Sequence, residues 1–205
     1  PSSSRQSRRK SARSMDSIAL VFSGAMQSWG DTPFGSTRRT LPRPTKSGII
    51  GIIANALGRD HEDDISDLAS LDFGVRVDSP GTTIRDFHTV TITTQVLKGD
   101  TTDRITERFY VADGVFVVVL ASQDAAFLDV IERAVKKPAR AIYLGRKSCT
   151  PDRPIFLSRQ QGGVKENLAS LPWQGSTQDG AGVVTLDIYR SPENEDEAAM
   201  SKIVM

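Results

Sequence analysis

The sequence has almost none of the residues that build metal centres and redox sites: one cysteine, Cys149, and two histidines, His61 and His88. A single thiol excludes an internal disulfide and leaves no cysteine cage for zinc. Neither a metal nor a cofactor is expected, and the usage suits a reducing cytoplasm. Long apolar runs are missing too: the longest, from Val115 to Ala121, falls far short of the roughly 20 residues of a membrane-crossing helix. Residues 1–14 are basic and serine-rich but lack the apolar stretch of a secretory signal. The glycine pattern of a Walker A loop is absent, which disfavours nucleotide hydrolysis, and no nucleophile elbow or internal repeat occurs.

What is present is the composition of a folded chain, 38% hydrophobic and 25% charged, long enough at 205 residues to bury its own core. The formal net charge of +1 conceals an uneven distribution. Five of the 26 basic side chains (Arg5, Arg8, Arg9, Lys10 and Arg13) lie ahead of Met15, and the 21 that remain are outnumbered by 25 acidic ones. Residues 1–14 read as a disordered basic arm or a cloning remnant, 15–160 as the main domain, and 161–205 as a C-terminal β extension with an acidic tail. Cations concentrate at Arg38, Arg39, Arg43 and Lys46, and again from Arg133 through Lys136, Lys137, Arg140, Arg146 and Lys147 to Arg153; Glu62, Asp63, Asp64 and Asp67 lie elsewhere. The pattern predicts a bipolar surface.

Ile18 to Phe22 predicts a first strand, and Ser47 a cap for a helix with Ile49, Ile53, Ala56 and Leu57 on one face and Gly58 at its end. Gly48 and Gly51 inside that helix point to close backbone approach. Phe73, Val75 and Val77 alternate with Gly74, Arg76 and Asp78 as a second strand. Val115 to Leu120 predicts a central strand covered on both faces. A helix follows from Asp124, with Phe127, Leu128, Ile131, Ala134 and Val135 as its stripe and Pro138 beyond it, and late strands lie near 154–157 and 183–189. Residues 82–108, rich in threonine and interleaved charge, read as a protruding β-rich insertion. The element order is that of a split βαβ, ferredoxin-like α+β fold, the topology that RNA-recognition (RRM) domains share. That fold hosts many functions.

Three segments could carry chemistry. Thr45, Lys46 and Ser47 at a helix start would offer amides, a cation and hydroxyls to a phosphate, or form an ordinary capped helix. Tyr143, Arg146, Lys147 and Ser148 flank a glycine turn that could grip RNA by charge and stacking, or be a plain surface turn. Trp29 could stack on a base or pack in the core. Arg85 to Thr89 holds His88 two residues from Asp86, a possible acid/base partner. Metal-independent RNA cleavage would recruit His88, Tyr143 or Lys147, whereas a structural or RNA-contacting His88 needs no turnover. His61, in its acidic run, reads as part of a solvated loop.

Taken in order, Gly24-Ala25-Met26-Gln27-Ser28-Trp29-Gly30, Arg38, Pro44-Thr45-Lys46-Ser47-Gly48-Ile49-Ile50-Gly51, Phe73-Gly74-Val75-Arg76-Val77-Asp78, Asp86-Phe87-His88-Thr89, Arg108-Phe109-Tyr110 and Tyr143-Leu144-Gly145-Arg146-Lys147-Ser148-Cys149 resemble the CasD-type subunits of type I-E CRISPR Cascade, in the RAMP superfamily. The resemblance spans about residues 16–160. It implies a RAMP domain with a β-hairpin thumb at 82–108 and no catalytic centre. It further implies a grip on the 5′ handle of CRISPR RNA, contacts with a CasC-like backbone subunit and a CasA-like large subunit, target DNA in the assembled complex, and no membrane. RNA-binding positions are then Trp29, Arg38, Thr45, Lys46, Ser47, Arg85, His88, Arg104, Arg108, Tyr143, Arg146, Lys147 and Ser148. Related RAMP proteins cut precursor CRISPR RNA, so an endoribonuclease is the alternative. The family's usual last strand is expected to be missing after the acidic stretch from Glu193.

Overall fold

The computed structural model describes residues 15–30, 35–93, 101–175, 185–190 and 201–204. The basic arm and the acidic tail lie outside the described residues. From the first described residues the elements run β1 (Asp16–Ser23), β2 (Met26–Gln27), β3 (Trp29–Gly30), β4 (Thr37–Arg38), β5 (Thr40–Leu41), α1 (Lys46–Leu57), α2 (Ser66–Ala69) and β6 (Asp72–Ser79). After these come β7 (Thr82–Thr93), β8 (Thr101–Ala112), β9 (Val115–Ser122), α3 (Ala125–Lys136), β10 (Phe156–Gln161), α4 (Val164–Ser170), β11 (Thr185–Arg190) and β12 (Ser201–Val204). The fold is mixed α/β with antiparallel sheets. Six strands form the main sheet in the order β10-β1-β9-β6-β11-β12, each neighbouring pair antiparallel.

Alternation along the central strands sends apolar side chains to both faces. Ile18, Leu20 and Phe22 of β1 and Phe116, Val118 and Leu120 of β9 join α1 and α3 in one core, while Ala19, Val117, Val119 and Ala121 meet Val164, Leu168 and Leu171 of α4 and its cap in another. Each fully buried large apolar side chain contributes roughly 1.5–3 kcal/mol, which makes this two-sided burial the main determinant of register. One consequence concerns RNA. The sheet face opposite α1 and α3, the face RNA-recognition domains expose, is covered here by α4 packed on β6, β9 and β1.

Several local expectations shift. Thr45, not Ser47, is the N-cap of α1: its backbone is extended and its hydroxyl accepts from the Gly48 N–H. Gly58 closes α1 in the left-handed region at φ 82°. At Gly48 a Cβ would lie 3.1 Å from Thr45 Oγ1 and 3.4 Å from the Trp29 ring, so close approach holds there; at Gly51 a Cβ meets nothing within 4 Å. The segment after 161 is not β alone. It contains α4, whose seven residues are too few to show a helical period, and β11 and β12 extend the sheet beyond β6, so a strand is present after Glu193 where none was expected. The inserted region forms two long antiparallel strands, β7 and β8, paired from Thr82↔Ala112 to Thr93↔Thr101, four residues longer at its second strand than the composition suggested. Among the described residues, no helix is long and apolar enough to cross a membrane.

Candidate nucleic-acid interface

Two of the glycine-bearing segments are halves of one structure. Ser28 N–H donates to the Leu144 carbonyl at 2.9 Å, and the turn beyond closes on itself through Leu144 N–H to Cys149 O (2.7 Å) and Cys149 N–H to Arg146 O (2.8 Å). Contact is so close that a Cβ on Gly145, at φ +95°, would lie 1.7 Å from the Ser28 carbonyl oxygen, and one on Gly24 would lie 2.6 Å from the Thr150 carbonyl oxygen. Leu144 and Cys149 are buried, leaving Lys147 and Ser148 exposed at the tip. Burial pushes the Cys149 thiol up, away from the thiolate.

Arg146 is not a free cation on this turn. Its guanidinium sits 4.6 Å from the centre of the Tyr110 ring, and Nη2 donates to the Arg38 carbonyl at 3.4 Å. The turn is thereby fastened to the root of the β7–β8 hairpin. Arg38 in β4 pairs in parallel register with Arg108 in β8, so the two arginines arise side by side. Tyr110, the seat of Arg146, was absent from the predicted site; the signal available was its place in Arg108-Phe109-Tyr110, two residues from Arg108 and on the same strand face.

Trp29 does not serve as a stacking surface. It is 1% exposed, packs edge-to-face on Phe22 (5.8 Å, 87°), and its benzene edge closes on the start of α1 where Gly48 has no side chain. Its role is to join the first turn of α1 to the segment that holds the basic turn. At that helix start Lys46 is half-buried and Ser47 exposed, while Thr45 is committed to its cap. No acidic residue occupies the first turn of α1, so its positive end is uncontested from within the helix.

Register divides the hairpin's candidates between its two faces. Asp86, His88, Arg104, Thr106, Arg108 and Tyr110 fall on one; Arg85, Phe87, Ile105, Glu107 and Phe109 fall on the other. Arg85 is thus separated from Arg104, Arg108 and His88, and pairs with Glu107 at 3.4 Å. Phe87 and Ile105, 53% and 55% exposed, put apolar side chains on that second face, as Ile84 and Val90 do on the first. His88 Nε2 meets Asp86 Oδ2 at 2.5 Å, both side chains near half exposure. Among the described residues no hydrogen bond or ion pair joins His88 to Tyr143 or Lys147. Tyr143 is half-buried on its turn.

The predicted bipolar surface is interrupted where its two signs meet. Arg140 Nη2 donates to Asp60 at 2.6 Å, and Arg59 forks onto both oxygens of Asp67, holding that carboxyl below the usual range. Asp60 and Asp67 are paired in this way, Asp64 accepts from Ser66, and His61 is exposed beside them. Among the described residues no group of three or more His, Cys, Asp or Glu side chains gathers as a metal site.

The family model for CRISPR-associated protein (Cas_Cas5) matches residues 17–203. The CRISPR system Cascade subunit CasD of Escherichia coli (strain K12) is 35% identical over 159 residues, covering 70% of this chain and 71% of that one. A chain from a solved CRISPR RNA-guided surveillance complex aligns with TM-score 0.69 at 32% identity, over 84% of this chain and 76% of that one. A second, described as a crystal structure of a Cas protein, aligns with TM-score 0.66 at 33% identity, over 87% and 80%. A chain matched by the family model over most of its length, and by a CasD sequence over more than two-thirds of both proteins, belongs to the CRISPR-associated Cas5 family as a CasD-type member.

Proposed function

We propose that this chain is a non-catalytic RNA-holding subunit of a Cascade-type complex, gripping the repeat-derived 5′ handle of CRISPR RNA at the root of its hairpin. The observation that carries the reading is the convergence, at one place, of cations from three separate segments: Arg38, Arg108, and Arg146 with Lys147. Lys46 and Ser47 at the start of α1 are linked to the same region through Trp29. Phosphates bind such clusters by displacing counterions. The order β10-β1-β9-β6, with α1 after β1 and α3 after β9, supports a ferredoxin-like RAMP body. The hairpin would be its thumb, with Arg104 and Arg108 toward RNA and the Phe87–Ile105 face toward a CasC-like backbone subunit. A CasA-like subunit and target DNA are the further partners on this reading, with sequence recognition left to guide pairing.

Binding and cleavage are tested together. Purified chain is titrated with handle RNA in EDTA over a salt series, with a gel to detect cutting. Lys147→Ala and Arg108→Ala should each weaken binding and lower the log–log salt slope by about 1. Unchanged affinity and slope in both variants would remove the hairpin root from the interface. Site-specific cutting by the wild type that disappears in His88→Ala would make the chain a processing endoribonuclease instead.

A further inference from the structure

Outside the hairpin, Trp173 is the exposed aromatic side chain among the described residues, at 38%. An indole left in water is unfavourable, yet this one is held there from both sides. Immediately before it, the Leu171 and Pro172 carbonyls accept from the buried Arg76 guanidinium at 2.6 and 2.9 Å. Immediately after it, the Gln174 N–H donates to Asp78 Oδ2 at 2.8 Å and the Gln174 carbonyl accepts from Arg153 Nη2 at 3.2 Å. The ring rests on Gly175, where a Cβ would come within 2.7–2.9 Å of three indole atoms. One side of the indole is therefore backed by glycine backbone, and its segment is pinned by a fully buried ion pair.

The chemistry around the ring distinguishes between partners. A protein hot spot sits within a rim of contacts that exclude water. Here the immediate neighbours are Pro172 and Gln174, and the side chain tied to the segment is Arg153, 37% exposed with its Nε 3.8 Å from Asp152 Oδ1. An exposed flat aromatic, with an arginine bound to the carbonyl of the next residue, offers a ring for an unpaired base and a cation for its phosphate. The location fits as well. Asp152 N–H binds the Ser23 carbonyl at the end of β1, and Asp78 precedes the hairpin by four residues, so Trp173 shares the sheet rim from which the hairpin rises, on the face α4 covers. We propose that Trp173 is a stacking platform for an unpaired base of single-stranded RNA, with Arg153 beside the adjoining phosphate. This rests on the RNA-holding reading but on none of its residues.

Two tryptophans make the test direct, because Trp29 is shielded and iodide reaches Trp173. Poly(A) is titrated into the wild type, Trp173→Phe and Trp173→Leu. RNA should protect the iodide-accessible emission, and Trp173→Leu should weaken binding about 5-fold or more with an unchanged salt slope, while Trp173→Phe retains most of the affinity. Equal affinity in Trp173→Leu, with iodide quenching unaffected by RNA, overturns the platform. So does protection of Trp173 by a purified CasC-like or CasA-like subunit without RNA, which would make it a protein contact. If Trp173→Leu loses affinity while Lys147→Ala and Arg108→Ala do not, the platform stands and the hairpin-root reading fails.

Discussion

Arg76→Ala is expected to remove about 3–5 kcal/mol of unfolding free energy, a large part of what a domain of this size possesses. Arg76 is fully buried on the α4 side of β6, and all five of its N–H donors are used. Nε and Nη2 fork onto the two oxygens of Asp78 at 2.6 and 2.8 Å. The remaining donors take the Leu168, Leu171 and Pro172 carbonyls, the first two at the end of α4, where helix carbonyls otherwise lack partners. Truncation leaves a buried carboxylate and three carbonyls without their donor. Arg76→Lys should recover little, since an ammonium has three donors and no fork. Arg76→Met combined with Asp78→Leu should lose less than Arg76→Ala alone, because no charge is stranded. Urea unfolding measures all three. A loss below about 1 kcal/mol in Arg76→Ala would mean that water replaces the arginine and that α4 is not locked to the sheet.

That clamp also marks where sequence reading stops. The alternation of Phe73, Val75 and Val77 with Gly74, Arg76 and Asp78 identified the strand, but it describes equally a strand wet on one face. Only α4 makes the second face dry, and α4 is too short to announce itself by period. Central β9 was legible because its run is apolar at every position, and α3 because its stripe is regular. At the candidate site, residue type pointed to cations and glycines, yet could not apportion them. Arg146 rests on Tyr110, Arg85 turns to the opposite hairpin face, Arg140 is tied to Asp60, and Trp29 is core. Each outcome depends on which distant strand lies alongside, and a linear pattern does not carry that. The pairing of Gly24–Ser28 with Tyr143–Thr150 is of the same kind: Gly24 and Gly145 are each explained by a carbonyl more than a hundred residues away.

Gly145→Ala should therefore act at the basic turn far beyond the size of one methyl group. The left-handed φ of +95° alone costs a non-glycine residue about 1–3 kcal/mol. The added Cβ would also stand 1.7 Å from the Ser28 carbonyl oxygen and 2.8 Å from its carbon, both backbone atoms that no rotamer change can move. Relief requires the turn to leave Ser28, which breaks the Ser28 N–H bond to Leu144 and lifts Arg146 from Tyr110. Handle affinity should then fall to the level of Arg146→Ala with Lys147→Ala, although no cation has been removed. Stability should fall as well, because Leu144 is fully buried. The deciding measurement is non-additivity. With Gly145→Ala already present, removing Arg146 and Lys147 should weaken RNA binding little further, because the turn that presents them is displaced. If the two sets of changes instead add in full, the turn keeps its place despite the methyl group, and the backbone contact between Gly145 and Ser28 is not what positions the cations.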